Sequence, residues 1–252
     1  MRYTFTNEEL AVFNDYFKSI VLSETVNSLG ISIKENDKSL IINRLVKKGL
    51  LISSNNNINI ADNISPFIGS LDFPIYRIMK TIAIDGEFED TDNCFVKNET
   101  VVLLYKDDDE FVIEFHKTNH LENIVESFLL KEEITVNSKL PPFILKVQEK
   151  TFNQFWKTYK TDKNRAINQY HTKFGVPKNN LEIIASTINE NSQLENILIL
   201  KSGEENPTLY NIFRKDGINI ATWAKPSKLS FNNKTMIFHH NVTEFVKLLE
   251  YR

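Results

Sequence analysis

The chain has 252 residues and a formal net charge of −3, with 41% hydrophobic and 25% charged side chains. That composition excludes disordered, collagen-like and coiled-coil classes and provides enough apolar surface for a sizeable core. Seven glycines and seven prolines leave little for Gly-rich phosphate cradles or Pro-rich linkers, and a single cysteine, Cys94, rules out an internal disulfide and a thiolate-only zinc site. No stretch approaches the ~20 apolar residues that span a bilayer, and the opening Met1–Leu10 lacks the pattern of a secretory leader. The expectation is a soluble, cytoplasmic protein. Charge is distributed unevenly: residues 1–140 carry 14 basic and 23 acidic side chains, and residues 141–252 carry 16 and 10. The whole molecule is therefore not a generic polyanion binder. Its positive half either neutralises the acidic half or faces an acidic partner.

In chain order, Thr6-Asn7-Glu8-Glu9 supplies a helix cap with early acids. Leu10, Phe13, Phe17 and Ile20 then recur at helical spacing, which predicts one N-terminal helix. A second helix is expected over Lys38–Lys48, with Leu40, Ile41, Leu45 and Val46 as its apolar face and Gly49 as its stop. Leu50–Ile52 and Ile58–Ile60 read as a small hairpin across an Asn-rich turn. Strands are expected near Lys80–Asp85, Thr100–Tyr105 and Glu110–Phe115. Asn119 and Glu122 form a capping box for a helix whose apolar face is Leu121, Ile124, Val125 and Phe128. Residues 131–145, with Pro141-Pro142, read as a crossover linker.

The second half repeats this order. Helices are expected over Glu149–Tyr159, Asp162–Lys173 and Asn179–Asn189, then strands near Leu194–Lys201, Thr208–Arg214, Ile218–Trp223 and Thr235–His239. Lys215-Asp216-Gly217 suits a hairpin turn. Asn241 and Glu244 cap a last helix bearing Val242, Phe245, Val246 and Leu249. Glu114-Phe-His116 before one closing helix matches Ile237-Phe-His239 before the other. The fold expected is α+β: a single domain, a pseudo-two-fold body of two helix–antiparallel sheet–helix halves (1–130 and 146–252 about the linker), with a winged-helix-like N-terminal element.

Chemical motifs are absent from the sequence. It has no Gly-x-Ser-x-Gly elbow, Walker loop, dinucleotide fingerprint or His-Glu-x-x-His. His116 and His120 straddle a strand end and a helix start, and His239-His240 with Glu244 does the same, so neither set has the helical register of a metal site. The acidic stretch Asp85–Asp92 lacks the ligand pattern of a calcium loop. No catalytic residue, cofactor or metal is expected, and the chain reads as a non-enzyme. The helix over Lys38–Lys48 with its hairpin has the outline of a recognition helix and wing, offering Lys38, Arg44, Lys47 and Lys48 to phosphates. The surrounding acidic half opposes duplex binding. Phe152, Phe155, Trp156 and Tyr159 form an aromatic stripe surrounded by Lys150, Lys157, Lys160, Lys163 and Arg165. It is either a grip for a helical partner or the core face of an ordinary helix.

Several segments carry a family likeness: Leu45-Val-Lys-Lys-Gly49-Leu-Leu before the hairpin, Phe111–Phe115 with the Leu121–Leu129 helix, Phe174-Gly-Val-Pro177 with Leu181–Ala185, Asp216–Pro226, and the closing Val242–Leu249. In order and spacing the chain resembles the EspG-type chaperones of bacterial type VII (ESX) secretion, including the Firmicute branch represented by EsaE. It lacks the Gly-Arg-Tyr signature of the mycobacterial pattern, with Leu209–Phe213 in its place. The resemblance implies a cytosolic, non-enzymatic chaperone or adaptor that binds a helical secretion substrate, WXG100-like or LXG-type, and keeps it soluble for the export machinery. It places the contact on the 86–98 loop, bearing Phe88 and Phe95, and on the 150–190 helices, bearing Phe152, Trp156 and Tyr159. Phe88 and Phe95 then act as exposed anchors, or else are buried edge aromatics. The alternatives are a winged-helix DNA-binding regulator and an immunity protein against a secreted toxin.

Overall fold

The N-terminal cap forms as its residue pattern dictates. In the computed structural model, Thr6 Oγ1 accepts a hydrogen bond from Glu9 N–H, and Glu9 Oε2 accepts one from Thr6 N–H. The structure describes residues 1–54, 57–84, 87–88, 91–129, 144–191, 193–204, 207–215, 218–227 and 230–239. Within them lie β1 (Arg2–Phe5), α1 (Asn7–Phe17), α2 (Ile20–Leu29), α3 (Glu35–Lys47), β2 (Leu51–Ser54), β3 (Asn57–Ile60), a 3-10 turn (Ser65–Phe67) and α4 (Ile68–Asp72). There follow β4 (Tyr76–Ile84), β5 (Glu87–Phe88), β6 (Asp92–Lys97), β7 (Thr100–Asp107), β8 (Glu110–Lys117), α5 (Leu121–Leu129) and β9 (Ile144–Gln148). The remainder is α6 (Glu149–Thr161), α7 (Lys163–Phe174), α8 (Lys178–Asn189), β10 (Gln193–Lys201), β11 (Thr208–Lys215), β12 (Ile218–Ser227) and β13 (Ser230–His239). The fold class is α+β, with antiparallel pairing throughout the hairpins.

Two compact units divide the chain: Met1–Met79, Asp90–Phe128 and Ile199–Asn206 in the first, Lys80–Glu89, Leu129–Leu198 and Pro207–Arg252 in the second. In the first, the strand order is β1-β8-β7-β6-β4. Residues directly opposite in an antiparallel pair share a face. Phe95 of β6 stands opposite Val102, and Leu104 opposite Ile113, so all four point at α1 and join Leu10, Phe13 and Phe17 in one core. Cys94, one residue along, pairs with Leu103 on the other face and is fully buried there. Burial pushes its thiol far above the ordinary value.

The single N-terminal helix expected through Ile20 is two. Lys18 adopts a left-handed φ of 57° and ends α1, and Ser19 caps α2 by accepting from Leu22 N–H. Asp72, from α4, accepts from Ser19 Oγ at 2.6 Å and from Ile20 N–H at 2.9 Å, which fixes where α2 starts. The break turns Ile20 out of the stripe, leaving it 57% exposed. The α3 helix and its hairpin form where expected. Gly49, at φ +72°, permits the reversal in which Gly49 N–H bonds Val46 C=O and Leu50 N–H bonds Leu45 C=O. Leu51 then faces Ile60 across β2–β3. Leu40, expected on the apolar face of α3, is instead 62% exposed. Ile41 and Leu45 are buried in the core, and Ile42 and Val46 pack against it half-buried.

The second unit orders its strands β4-β10-β11-β12-β13-β9, with β5 paired to the end of β4. Strand β9 starts inside the expected crossover linker, taking its last residues, Ile144 and Leu145: Leu145 and Val147 alternate inward and pair with Phe238 and Met236 of β13. The three helices match their sequence periodicity. Phe155 and Tyr159 of α6, Ala166, Ile167, Tyr170 and Phe174 of α7, and Leu181, Ile184 and Ala185 of α8 pack with Ile220 into a second core. Asp162 Oδ1 caps α7 by accepting from Arg165 N–H at 2.9 Å. The remaining linker (131–143), the Asp216-Gly217 turn, His240 and the closing helix expected over Val242–Leu249 lie outside the described residues.

Candidate partner-binding surface

Residues 86–98, expected as a loop carrying two aromatic anchors, include two strands, and these separate the two rings. Phe95 lies in β6, wholly buried among the aromatic residues of the first core, with the Arg77 guanidinium 5.3 Å from its ring centroid. It is a core residue, because the β6 register turns it toward α1. Phe88 lies in β5, opposite Ala83, and is 67% exposed. Ile84, opposite Glu87, is also exposed and stands on the other face of the same short ribbon. The ribbon thus presents an apolar side chain on each face. Ile84 was not singled out by its sequence, although it ends an apolar alternation just before the acidic stretch that begins at Asp85.

The aromatic stripe of α6 divides in the same way. Phe155 and Tyr159 are buried, so Tyr159 is a core residue at the centre of the inward face. Burial raises its phenol above the ordinary value, although Lys163, over its ring at 5.7 Å, acts in the opposite direction. Phe152 and Trp156 are half-buried at the margin. The rings form a ladder: Phe152 and Trp156 have centroids 5.9 Å apart and planes 18° apart, and Trp156 and Tyr159 lie 5.4 Å and 10° apart. Outside the ladder, Lys150, Asn153, Gln154, Lys157 and Lys160 are exposed. Lys163 and Lys215 both bind Glu190, at 3.1 and 2.5 Å, and hold its carboxyl below the ordinary range.

The basic residues of α3 are mostly taken up by acids of α1. Glu9 is 3% exposed and accepts both Lys48 Nζ at 2.6 Å and Arg44 Nε at 3.0 Å, while Lys38 Nζ lies 2.7 Å from Asp15. Three of the four cations offered to phosphates by the winged-helix reading are therefore neutralised within the protein. The exposed Leu40 stands one turn before Arg44 on the same helix. That face is poorly suited to a duplex.

Two further polar clusters were not anticipated. In the first unit Glu114 accepts from Tyr105 Oη at 2.6 Å and lies 3.0 Å from His116 Nε2 and 3.8 Å from Arg2 Nε. Burial alone would raise the Glu114 carboxyl, but the hydrogen bonds from Tyr105 and His116 and the nearby cations leave it below the ordinary value. In the second unit Arg214 of β11 and Glu195 of β10 form a 2.6 Å pair with side chains only 12% and 2% exposed, and Gln193 also donates to Glu195. Neither cluster contains a nucleophile beside a base. Among the described residues no three His, Cys, Asp or Glu side chains gather as a metal ion would need, and no helix is long and apolar enough to cross a membrane.

No protein-family model and no curated sequence matches the chain. A solved structure does. It is the Mycobacterium tuberculosis type VII secretion system chaperone EspG5 in complex with a PE25–PPE41 dimer, matched with a TM-score of 0.64 over 98% of this chain and 94% of that one, at 7% identity. The chain has an EspG-like fold. At that identity the likeness concerns the path of the backbone, and function has to be argued from this chain's own surface.

Proposed function

We propose that the protein is a non-enzymatic chaperone or adaptor for a helical substrate of a type VII (ESX) secretion system, acting in the cytoplasm. The observation that carries this reading is the likeness, over nearly the whole chain, to a chaperone solved with its PE–PPE dimer bound. It is supported by the exposed apolar side chains Phe88 and Ile84, one on each face of the β4–β5 ribbon. The mechanism is reversible masking. An apolar tip of a helical hairpin seats on Phe88 and on the half-buried margin of α6, and the charged rim keeps the complex soluble. The proposed client is WXG100-like or LXG-type, and the proposed lineage is the Firmicute branch represented by EsaE. A micromolar to sub-micromolar affinity, about −8 to −10 kcal/mol, suits a client that must be released for export.

The test is affinity capture of the tagged protein from its native cytosol, with the recovered protein identified and truncated. Contact with a helical export domain supports the proposal. Contact confined to a toxin's catalytic domain replaces it with an immunity role. Recovery of nucleic acid alone, at physiological salt, replaces it with a regulator.

A further inference from the structure

The outer side of α6 joins two rows. On a helix, residues three and four apart are neighbours, so Phe152, Trp156 and Lys160 form one row and Lys150, Asn153 and Lys157 the row beside it. Residues 149–178 carry seven basic side chains and only two acids, Glu149 and Asp162. Asp162 is already used as the cap of α7. Where an acid lies within reach, this unit uses it, as Glu190 does with Lys163 and Lys215. Among the described residues, the exposed Lys150, Lys157, Lys160 and Arg165 have no such partner. On α6, the unpaired Lys150, Lys157 and Lys160 therefore border an aromatic margin that is half open.

We infer that this strip selects the charge of what docks beside it: an acidic amphipathic segment of a protein, with carboxylates on Lys150, Lys157 and Lys160 and an apolar side chain against the edge of Trp156. The inference rests on the adaptor reading and adds the chemistry of the docked segment. Complementary charge argues for an acidic occupant. The stacking argues for protein over single-stranded nucleic acid. Trp156 is half-buried and already has two near-parallel ring neighbours, Phe152 at 5.9 Å and Tyr159 at 5.4 Å, which compete with a base for stacking on it. Bases bind by stacking on open ring faces, whereas an aliphatic side chain packs well against a ring edge.

The test uses the full chain and a displayed library of amphipathic helical peptides with fixed leucines and randomised flanking positions. Asp and Glu should be enriched at those positions. The double variant Lys157→Glu/Lys160→Glu, whose sites are exposed and leave the core untouched, should weaken the selected peptides by about 10-fold and shift the enrichment to Lys and Arg. An absence of binding, an absence of acidic enrichment, or enrichment unchanged in the double variant overturns the inference. So does tighter binding of an oligonucleotide, or of phosphatidylserine vesicles, lost in the same variant. Phe88→Ala separates this from the adaptor reading. Client capture that survives both Phe88→Ala and the charge reversal overturns the adaptor surface, whereas capture lost only with Phe88 retains that surface and removes the acidic selectivity.

Discussion

Replacing Phe88 and Phe95 by alanine, one at a time, separates surface from core in a segment where both rings had equal standing as anchors. Phe95 is wholly buried between the strands and α1. Removing its ring discards a full phenylalanine burial and leaves a cavity, at a cost of about 3–5 kcal/mol. Phe88 is 67% exposed, so about a third of its surface is covered. Full burial of such a side chain stabilises by about 1.5–3 kcal/mol, and a third of that is about 0.5–1 kcal/mol. Urea unfolding followed by circular dichroism reads both: the midpoint should fall steeply for Phe95→Ala and little for Phe88→Ala, with unchanged slope for the latter. Capture of the client should show the reverse, weakening by about 1–3 kcal/mol for Phe88→Ala while the folded fraction of Phe95→Ala binds normally. Equal destabilisation by the two substitutions would refute the assignment of Phe88 to the surface.

Glu9→Gln keeps an acceptor for the capping box but removes the charge that Arg44 and Lys48 share. It should cost about 1.5–3 kcal/mol in thermal or urea unfolding, more than Thr6→Ala at about 1 kcal/mol. Arg214→Met leaves the Glu195 carboxylate buried without its 2.6 Å partner, and a loss of about 3–5 kcal/mol is expected, partly recovered on adding Glu195→Gln. A double variant as unstable as the single one would show that packing, not charge, holds that site. Glu114 has a folded pKa below its ordinary 4.5, so its contribution is present above that value and is lost as pH falls through the lower folded value. Glu114→Gln should therefore flatten the fall in stability on acidification below about pH 4.5, as read by urea midpoints from pH 6 to pH 3.

The helices of the second unit were legible because one local signal, apolar residues at helical spacing, is also what packs them: Phe155, Tyr159, Ile167, Tyr170, Leu181 and Ile184 are both the pattern and the core. Strand β1 was not legible. Its partner β8 lies more than a hundred residues away, as in the pair Tyr3–Ile113, and nothing local reports such a pairing. The α1–α2 break was hidden because Lys18 is not a residue type that announces a left-handed turn, and the apolar spacing runs across it into Ile20. In the candidate surface the sequence left exposure open, between exposed anchors and buried edge aromatics. Phe88 lies between Glu87 and Glu89 and Phe95 between Cys94 and Val96, and the registers of β5 and β6 send the first outward and the second inward. The neutralisation of Arg44 and Lys48 by Glu9 likewise depends on how α1 crosses α3, which no local spacing encodes.

Cys94 gives the protein a built-in clock. It is the chain's single thiol, it is fully buried, and its ionisation is suppressed by that burial, so a maleimide or a disulfide reagent finds no thiolate to attack while β6 is in place. Modification then proceeds only through openings of the first unit, and its rate counts those openings against time. A client that steadies that unit would slow the clock and one that loosens it would speed it, with no label attached to either protein.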